Sequence, residues 1–255
     1  MQVGLIGCGV MGSAFARKIG KRLKWTLFSR TLKKAEQLAK DLDGKVASSM
    51  EEVAKECDVV IIAVPPANID LVADGISAID KDKLVISLVG GVRLDVWKDL
   101  LPDVTICRIL PNLPILYGEG VVGIVDEVDS IQRQTIEKLV EGMGLIQWLS
   151  EEKLEALSAL AGSGCGFAYL ILEAYTEAGI MMGLQPKEAL GMACQTLKGA
   201  AIMCQETGEH PAKLKWDVAA PGGTTIGGLV DMEGSGVRSG IIEGILETRM
   251  RADLH

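Results

Sequence analysis

Short apolar runs alternate with helical patterns over the first half of the chain. Residues 3–6 (VGLI) read as a strand, and a helix follows from about Gly9. Residues 25–28 (WTLF) read as a second strand, followed by a helix over 32–42. Residues 58–64 (DVVIIAV) form an apolar run suited to a strand buried on both faces. The runs at 84–88 and 104–109 are similar, and 121–125 and 145–148 are candidate edge strands. Strands that alternate with helices predict a parallel, doubly wound sheet.

The pattern changes near Ser150. Ser150-Glu151-Glu152 marks a helix start, with acidic side chains at the positive end of the helix dipole. Beyond it only helical patterns follow. One run covers 151–183 and is eased at residues 162–164. A second starts after Pro186, where Gln185-Pro186-Lys187-Glu188 places proline in the first turn. Shorter helices are expected after Pro211, Pro221 and Gly236. The predicted division is an α/β domain over 1–150 and an all-helical domain over 151–255.

Composition narrows the function. The 255 residues carry a formal charge of −8, with 48% hydrophobic and 24% charged positions, an ordinary globular mixture. The acidic balance argues against nucleic acid as a partner, because phosphate-backbone binding needs a Lys/Arg surplus. No apolar stretch is expected to reach the roughly 18 residues of a membrane span. The start MQVGLIGCGVMG lacks the basic segment of a signal peptide, so no membrane partner is expected. Cysteines 8, 57, 107, 165, 194 and 204 form no C-x-x-C pair, which predicts a reduced, cytoplasmic protein. His210 and His255 are the two histidines, so a histidine-rich zinc site is not expected.

Gly7-Cys8-Gly9-Val10-Met11-Gly12 fits G-x-G-x-x-G directly after a strand and at a helix start. Gly7 permits the tight turn, Gly9 lets the backbone approach a pyrophosphate, and Gly12 lets helix and strand pack closely. The helix N-terminus then offers free N–H groups to phosphates. The fold expected is therefore a Rossmann-type doubly wound sheet. After the second strand stand Ser29-Arg30-Thr31, with Lys33 and Lys34 beyond and no carboxylate to repel a 2′-phosphate. Arg30 suits such a phosphate through its planar fork, which favours NADPH, with NADH also admissible; alternatively it is a solvated loop arginine. Ala63-Val64-Pro65-Pro66 ends another strand and reads equally as a cofactor border or a rigid turn. Asn112, in Pro111-Asn112-Leu113-Pro114, is a polar group able to fix an amide or a substrate, or is an ordinary turn residue.

In the helical half, Pro221-Gly222-Gly223-Thr224-Thr225 precedes an amphipathic stretch. Two glycines before a helix expose consecutive N–H groups suited to a carboxylate; a glycine turn with a threonine cap would look the same. Gly162-Ser163-Gly164-Cys165-Gly166 suggests close helix–helix or helix–cofactor approach. Ser163 lacks a nearby histidine base and is a poor nucleophile candidate. His210, in Gly208-Glu209-His210-Pro211, reads as a loop or helix-start histidine rather than an acid.

Together these motifs resemble the pyrroline-5-carboxylate reductase family over essentially the whole chain. The resemblance runs through residues 7–12, Arg108-Ile109-Leu110-Pro111-Asn112, Gly118-Glu119-Gly120, Gly162-Ser163-Gly164 and Gln195-Thr196. It continues through Gly199-Ala200-Ala201, Glu209-His210-Pro211, Pro221-Gly222-Gly223-Thr224-Thr225-Ile226 and Glu233-Gly234-Ser235-Gly236-Val237-Arg238. The Pro-Gly-Gly-Thr-Thr block is its most specific element. It implies hydride transfer from NAD(P)H to the imine carbon of 1-pyrroline-5-carboxylate, which yields L-proline as the last step of its biosynthesis. It also implies carboxylate binding by Gly222, Gly223 and Thr224 and a catalytic hydrogen bond from Thr225 to the ring nitrogen, while the motifs above give Gly7, Gly9, Val10, Met11, Gly12, Ser29, Arg30, Ala63, Val64, Pro65 and Asn112 as the expected cofactor contacts. The helical domain is implied to be a dimerisation domain, giving a homodimer or a ring of dimers.

The chain departs from the family pattern at several places. Pro65-Pro66 replaces Lys-Pro, and Leu113 replaces a threonine. Cys165-Gly166-Phe167 replaces Pro-Ala-Tyr, and Ala219-Ala220 replaces Thr-Ser. Losing hydroxyl and charged groups near a substrate changes which substrate fits. The alternatives are a related reductase of a different cyclic imine and a non-catalytic NADPH-binding sensor. A β-hydroxyacid dehydrogenase would carry a lysine on the helix after its glycine motif, and residues 164–179 contain none.

Overall fold

A computed structural model of the chain describes residues 1–252; His255 lies outside the described residues. Eight strands form one sheet: β1 (Gln2–Ile6), β2 (Lys24–Phe28), β3 (Lys45–Val46), β4 (Val59–Ile62), β5 (Leu84–Ser87), β6 (Thr105–Pro111), β7 (Gly120–Val125) and β8 (Gly144–Leu149). Their order is β3-β2-β1-β4-β5-β6-β7-β8. From β3 to β6 all pairs are parallel, so the chain reverses its direction of travel across the sheet between β1 and β4. That reversal is the crevice where open α/β sheets bind ligands.

Six helices link the strands: α1 (Val10–Ile19), α2 (Leu32–Leu42), α3 (Met50–Glu56), α4 (Ile69–Gly75), α5 (Leu94–Leu100) and α6 (Ser130–Val140). They cover both faces, which explains why β4 is apolar throughout. Its alternate residues Val59 and Ile61 join a core with Phe15, Leu38 and Ile136 from α1, α2 and α6. Val60 and Ile62 join the opposite core with Val53, Val72 and Trp97 from α3, α4 and α5. Local caps set the helix starts. Ser49 accepts from the Glu52 amide at α3, and Asp129 with Gln132 closes a capping box at α6.

Two strands differ from expectation. β7 is not an edge strand: it runs antiparallel to β6 and parallel to β8, which forms the edge. A short 3-10 turn over Leu113–Tyr117, ended by Gly118 at φ 80°, reverses the chain directly after β6. That connection is too short for a parallel crossover.

The predicted helical run over 151–183 is interrupted. α7 (Glu151–Leu157) passes into a π-helical turn, Ser158–Gly162, and α8 (Gly164–Met181) follows. The chain divides into two compact units. One comprises Met1–Gly162 and the segment from Arg249; the other comprises Ser163–Thr248. This boundary lies beyond residue 150 because α7 packs onto the sheet. A Cβ on Gly123 of β7 would lie 2.6 Å from Leu154 and 2.8 Å from Leu157.

The second unit is helical: α8, α9 (Pro186–Thr207), α10 (Pro211–Asp217), α11 (Thr224–Gly234) and most of α12 (Val237–Ala252). α9 begins at Pro186 with a capping box between Gln185 and Glu188. α8 and α9 approach closely at Gly179, where a Cβ would lie 2.8 Å from Ala189. Among its described residues only Ala189 and Ala193 are buried hydrophobics, while Tyr169, Leu170, Met181, Ile242 and Leu246 are exposed. The run Glu151–Met181 is long and apolar enough to cross a membrane by length and composition. This corrects the expectation that no apolar stretch reaches that length: scattered polar and glycine positions break the run in sequence while its mean hydropathy stays high, as it also does in core helices of soluble proteins.

Candidate functional site

The glycine turn joins β1 to α1. Gly7 adopts φ 106°, a conformation open to glycine, and its amide donates to the Phe28 carbonyl of β2 at 2.9 Å. A Cβ on Gly7 would press on the carbonyl group of Ala63 after β4. A Cβ on Gly12 would collide with the Gly7 carbonyl oxygen and lie 2.8 Å from the Ala63 Cβ. Gly7 and Gly12 thus bring the C-terminal ends of β1 and β4 together. Gly9 differs, since nothing lies within 4 Å of where its Cβ would be. It caps α1 without a side-chain hydrogen bond, so the first-turn amides carry no side-chain cap.

A cleft of about 340 Å³ opens beside this turn. Gly7, Gly9, Ser29, Arg30, Ala63, Val64 and Pro65 of the predicted set line it. Thr31 and Lys34 add to its polar wall, and no carboxylate lines it. Arg30 is exposed and makes no ion pair among the described residues. Cys8 also lines the cleft and stays a thiol, its pKa pushed up to about 11 by burial. Met50, Leu71 and Val72 complete an apolar wall, and Asn68 adds an amide, four lining residues that sequence reasoning missed. The available signal was that Asn68 and Leu71 follow Pro65-Pro66 at a helical spacing.

Val10, Met11 and Gly12 do not line the cleft. Val10 and Met11 belong to the first turn of α1, and Gly12 acts through packing. Asn112 does not line it either. Its Oδ1 accepts from the Val121 amide at 2.8 Å, and its Nδ2 donates to the Ala161 carbonyl at 3.1 Å. Both ends of the side chain are therefore engaged within the chain.

The Pro-Gly-Gly-Thr-Thr block lies in the second unit at the start of α11. Gly222 adopts φ 70°, and Gly223 is the N-cap. The Gly223 amide donates to the Ala220 carbonyl at 2.9 Å, so it closes the turn rather than facing outward. Thr224 and Thr225 occupy the first turn, where helix amides lack intrahelical partners, and no side chain caps them. Both threonines are exposed. His210 caps α10, its Nδ1 accepting from the Ala212 amide at 3.2 Å, which agrees with the helix-start reading. Leu113 is exposed at the start of its 3-10 turn. Cys165, Gly166 and Phe167 stand in the first turn of α8, where the Phe167 ring lies 4.0 Å from the Cβ position of Gly244.

The cleft at the β1/β4 crossover fits a dinucleotide. The uncapped α1 amides, the open face of Gly9 and the Arg30–Lys34 wall without acids suit a pyrophosphate and a further phosphate on the ribose. These features define a nucleotide-dependent oxidoreductase with a helical second unit. The model for pyrroline-5-carboxylate reductase dimerisation matches residues 151–254, and that for NADP oxidoreductase, coenzyme F420-dependent, matches residues 2–91. The pyrroline-5-carboxylate reductase of Aquifex aeolicus is 31% identical over 99% of this chain and 96% of its own. That of Kluyveromyces lactis is 34% identical over 95% and 93%. The crystal structure of Plasmodium falciparum pyrroline carboxylate reductase with NADP bound superposes with a TM-score of 0.91, at 25% identity, covering 100% of this chain and 97% of that one. The chain belongs to the pyrroline-5-carboxylate reductase family.

Proposed function

We propose that this protein reduces 1-pyrroline-5-carboxylate to L-proline with NADPH, the last step of proline biosynthesis. The full-length identity to reductases of that name carries this reading. The Arg30–Lys34 wall beside the glycine turn supports the choice of the phosphorylated cofactor. Gly7, Gly9, Ser29, Arg30, Ala63, Val64 and Pro65 would hold it, with Val10 and Met11 supplying first-turn amides. When bound there, NADPH supplies a hydride for the imine carbon.

The substrate carboxylate suits the positive end of α11. Gly222 and the Thr224 amide would donate to it, while Gly223 holds the turn through Ala220. A protonated C=N group accepts hydride better than a neutral one. The Thr225 hydroxyl would hydrogen-bond the ring nitrogen and support its protonated form. The rest of catalysis is the holding of two reactants in register.

The second unit leaves most of its large apolar side chains exposed, which supports a homodimer, alone or in a ring of dimers. Six free cysteines support a reducing compartment, the cytoplasm. The test is product analysis. The purified protein given NADPH and 1-pyrroline-5-carboxylate should form L-proline in equal amount to the NADPH consumed. NADPH binding without proline formation would reject the reading.

A further inference from the structure

Arg108 stands in β6 between Cys107 and Ile109, beside Ser87 of β5, and it is fully buried. Its Nη1 pairs with Glu151 and, at 2.8 Å, with Glu155, both buried and one turn apart on α7. Glu151 also accepts from the Leu94 amide at the start of α5, at 2.9 Å. The cluster is incompletely satisfied. Arg108 Nε and Nη2, Glu151 Oε2 and Glu155 Oε1 have no hydrogen-bond partner among the described residues.

One cation with two carboxylates in a dry interior is a poor source of stability, and apolar residues of similar size often do as well. A cluster of this kind is better explained by the geometry that it imposes. Four residues further along the same strand and its exit, Asn112 adds a second tie. Its amide clasps the Val121 amide of β7 and the Ala161 carbonyl of the π-helical turn. Three ties from the Arg108–Asn112 segment thus reach α7 and the π turn that ends at Gly162. The unit boundary follows at once, between Gly162 and Ser163. π-turns inside helices are frequent at functional sites, because their widened backbone frees a carbonyl for an outside partner. Here the partner of the Ala161 carbonyl is Asn112.

We infer that Arg108 and Asn112 are positioning residues for hydride transfer: they fasten α7 and the π turn to the sheet, and so fix the point from which the substrate-binding unit departs. This rests on the proposed reaction. Asn112 touches neither reactant in this account, which separates it from a cofactor ligand.

Asn112→Asp is the sharpest probe, because it keeps an oxygen for the Val121 amide and removes the donor to Ala161. Arg108→Lys tests the other tie. Full-length wild type and both variants would be compared by amide hydrogen exchange, NADPH titration and turnover with 4-deuterated NADPH. Asn112→Asp should speed exchange over residues 156–166 while leaving the glycine-turn helix α1 protected. Its kcat should fall about tenfold or more with NADPH Kd within about threefold, since small misplacements of reactants cost that much. The deuterium isotope effect on kcat should rise as the hydride step becomes limiting. Unchanged exchange over 156–166 overturns the inference whatever the activity. A loss of NADPH affinity equal to the loss of kcat/KM also overturns it, because Asn112 would then be a cofactor ligand. A wild type that does not turn over the substrate rejects the reaction, and the exchange result alone then decides the tie.

Discussion

The carbonyl oxygen of Gly7 occupies the space that a side chain on Gly12 would need. The first helix can therefore start tight against β1 and β4 only if position 12 carries no side chain. Gly12→Ala should cost about 1–3 kcal/mol of stability, the usual range for overpacking. It should also weaken NADPH binding, because α1 must shift away from the turn. A thermal melt and a fluorescence titration of NADPH check both. Unchanged affinity in the variant would show that the first-turn amides do not hold the cofactor.

Arg30 lines the cleft without an ion-pair partner among the described residues. Arg30→Ala should lower kcat/KM for NADPH by about 10- to 100-fold, as expected on losing a charge-assisted hydrogen bond of about 1.5–3 kcal/mol. The value for NADH should change little. Steady-state kinetics with both cofactors decides the matter, and an equal fall with the two would remove Arg30 from 2′-phosphate recognition.

The turn, the cleft and the two-part organisation are legible in the sequence because each depends on local chemistry. Gly7, Gly9 and Gly12 announce a backbone constraint, and residues 59–62 announce a strand with two buried faces. Strand direction is not written in apolar content. β7 reads as an edge strand, and only the short turn ending at Gly118 shows that it reverses beside β6. β3 has two residues, too few for a periodic signal. Asn112 reads as a pocket residue because its partner Ala161 is far along the chain. Arg108 did carry a signal, a charge inside an apolar strand, which implies a buried partner such as Glu151 or Glu155.

The exposed apolar residues of the second unit predict association. Light scattering should give a mass at least that of a dimer of the 27.1 kDa chain. Leu170, exposed on α8, is a suitable probe. Leu170→Glu should shift the population toward monomer and lower the melting temperature. A monomeric, fully stable wild type would contradict the proposed dimer.

Lys45 of β3 lies 2.6 Å from Glu52 and 2.9 Å from Glu56, both on α3. Hydrogen bonds from Lys45 and Ser48 hold the Glu52 carboxyl down at about 2, and the bonds that Lys45 donates to Glu52 and Glu56 raise Lys45 to about 12. A depressed carboxyl contributes stability above its unfolded pKa near 4.3 and loses it as pH falls through the folded value. Melting temperatures of wild type and Glu52→Gln should therefore differ at pH 6 and converge as pH falls from about 4.3 toward about 2. The exposed setting makes the difference small and sensitive to salt. Curves that stay parallel to pH 2 would show that this ion pair contributes nothing to the acid limb.

The most direct test of the account is stopped-flow oxidation of NADPH by the full chain with 1-pyrroline-5-carboxylate, with Thr225→Ala and Thr225→Ser in parallel. Wild type should oxidise NADPH only when the substrate is present. Thr225→Ala should fall by about 10²- to 10⁴-fold, the range for losing a group that assists proton transfer, with Thr225→Ser largely restored. Wild type that binds NADPH but leaves this substrate untouched, or an alanine variant as fast as wild type, would contradict the account.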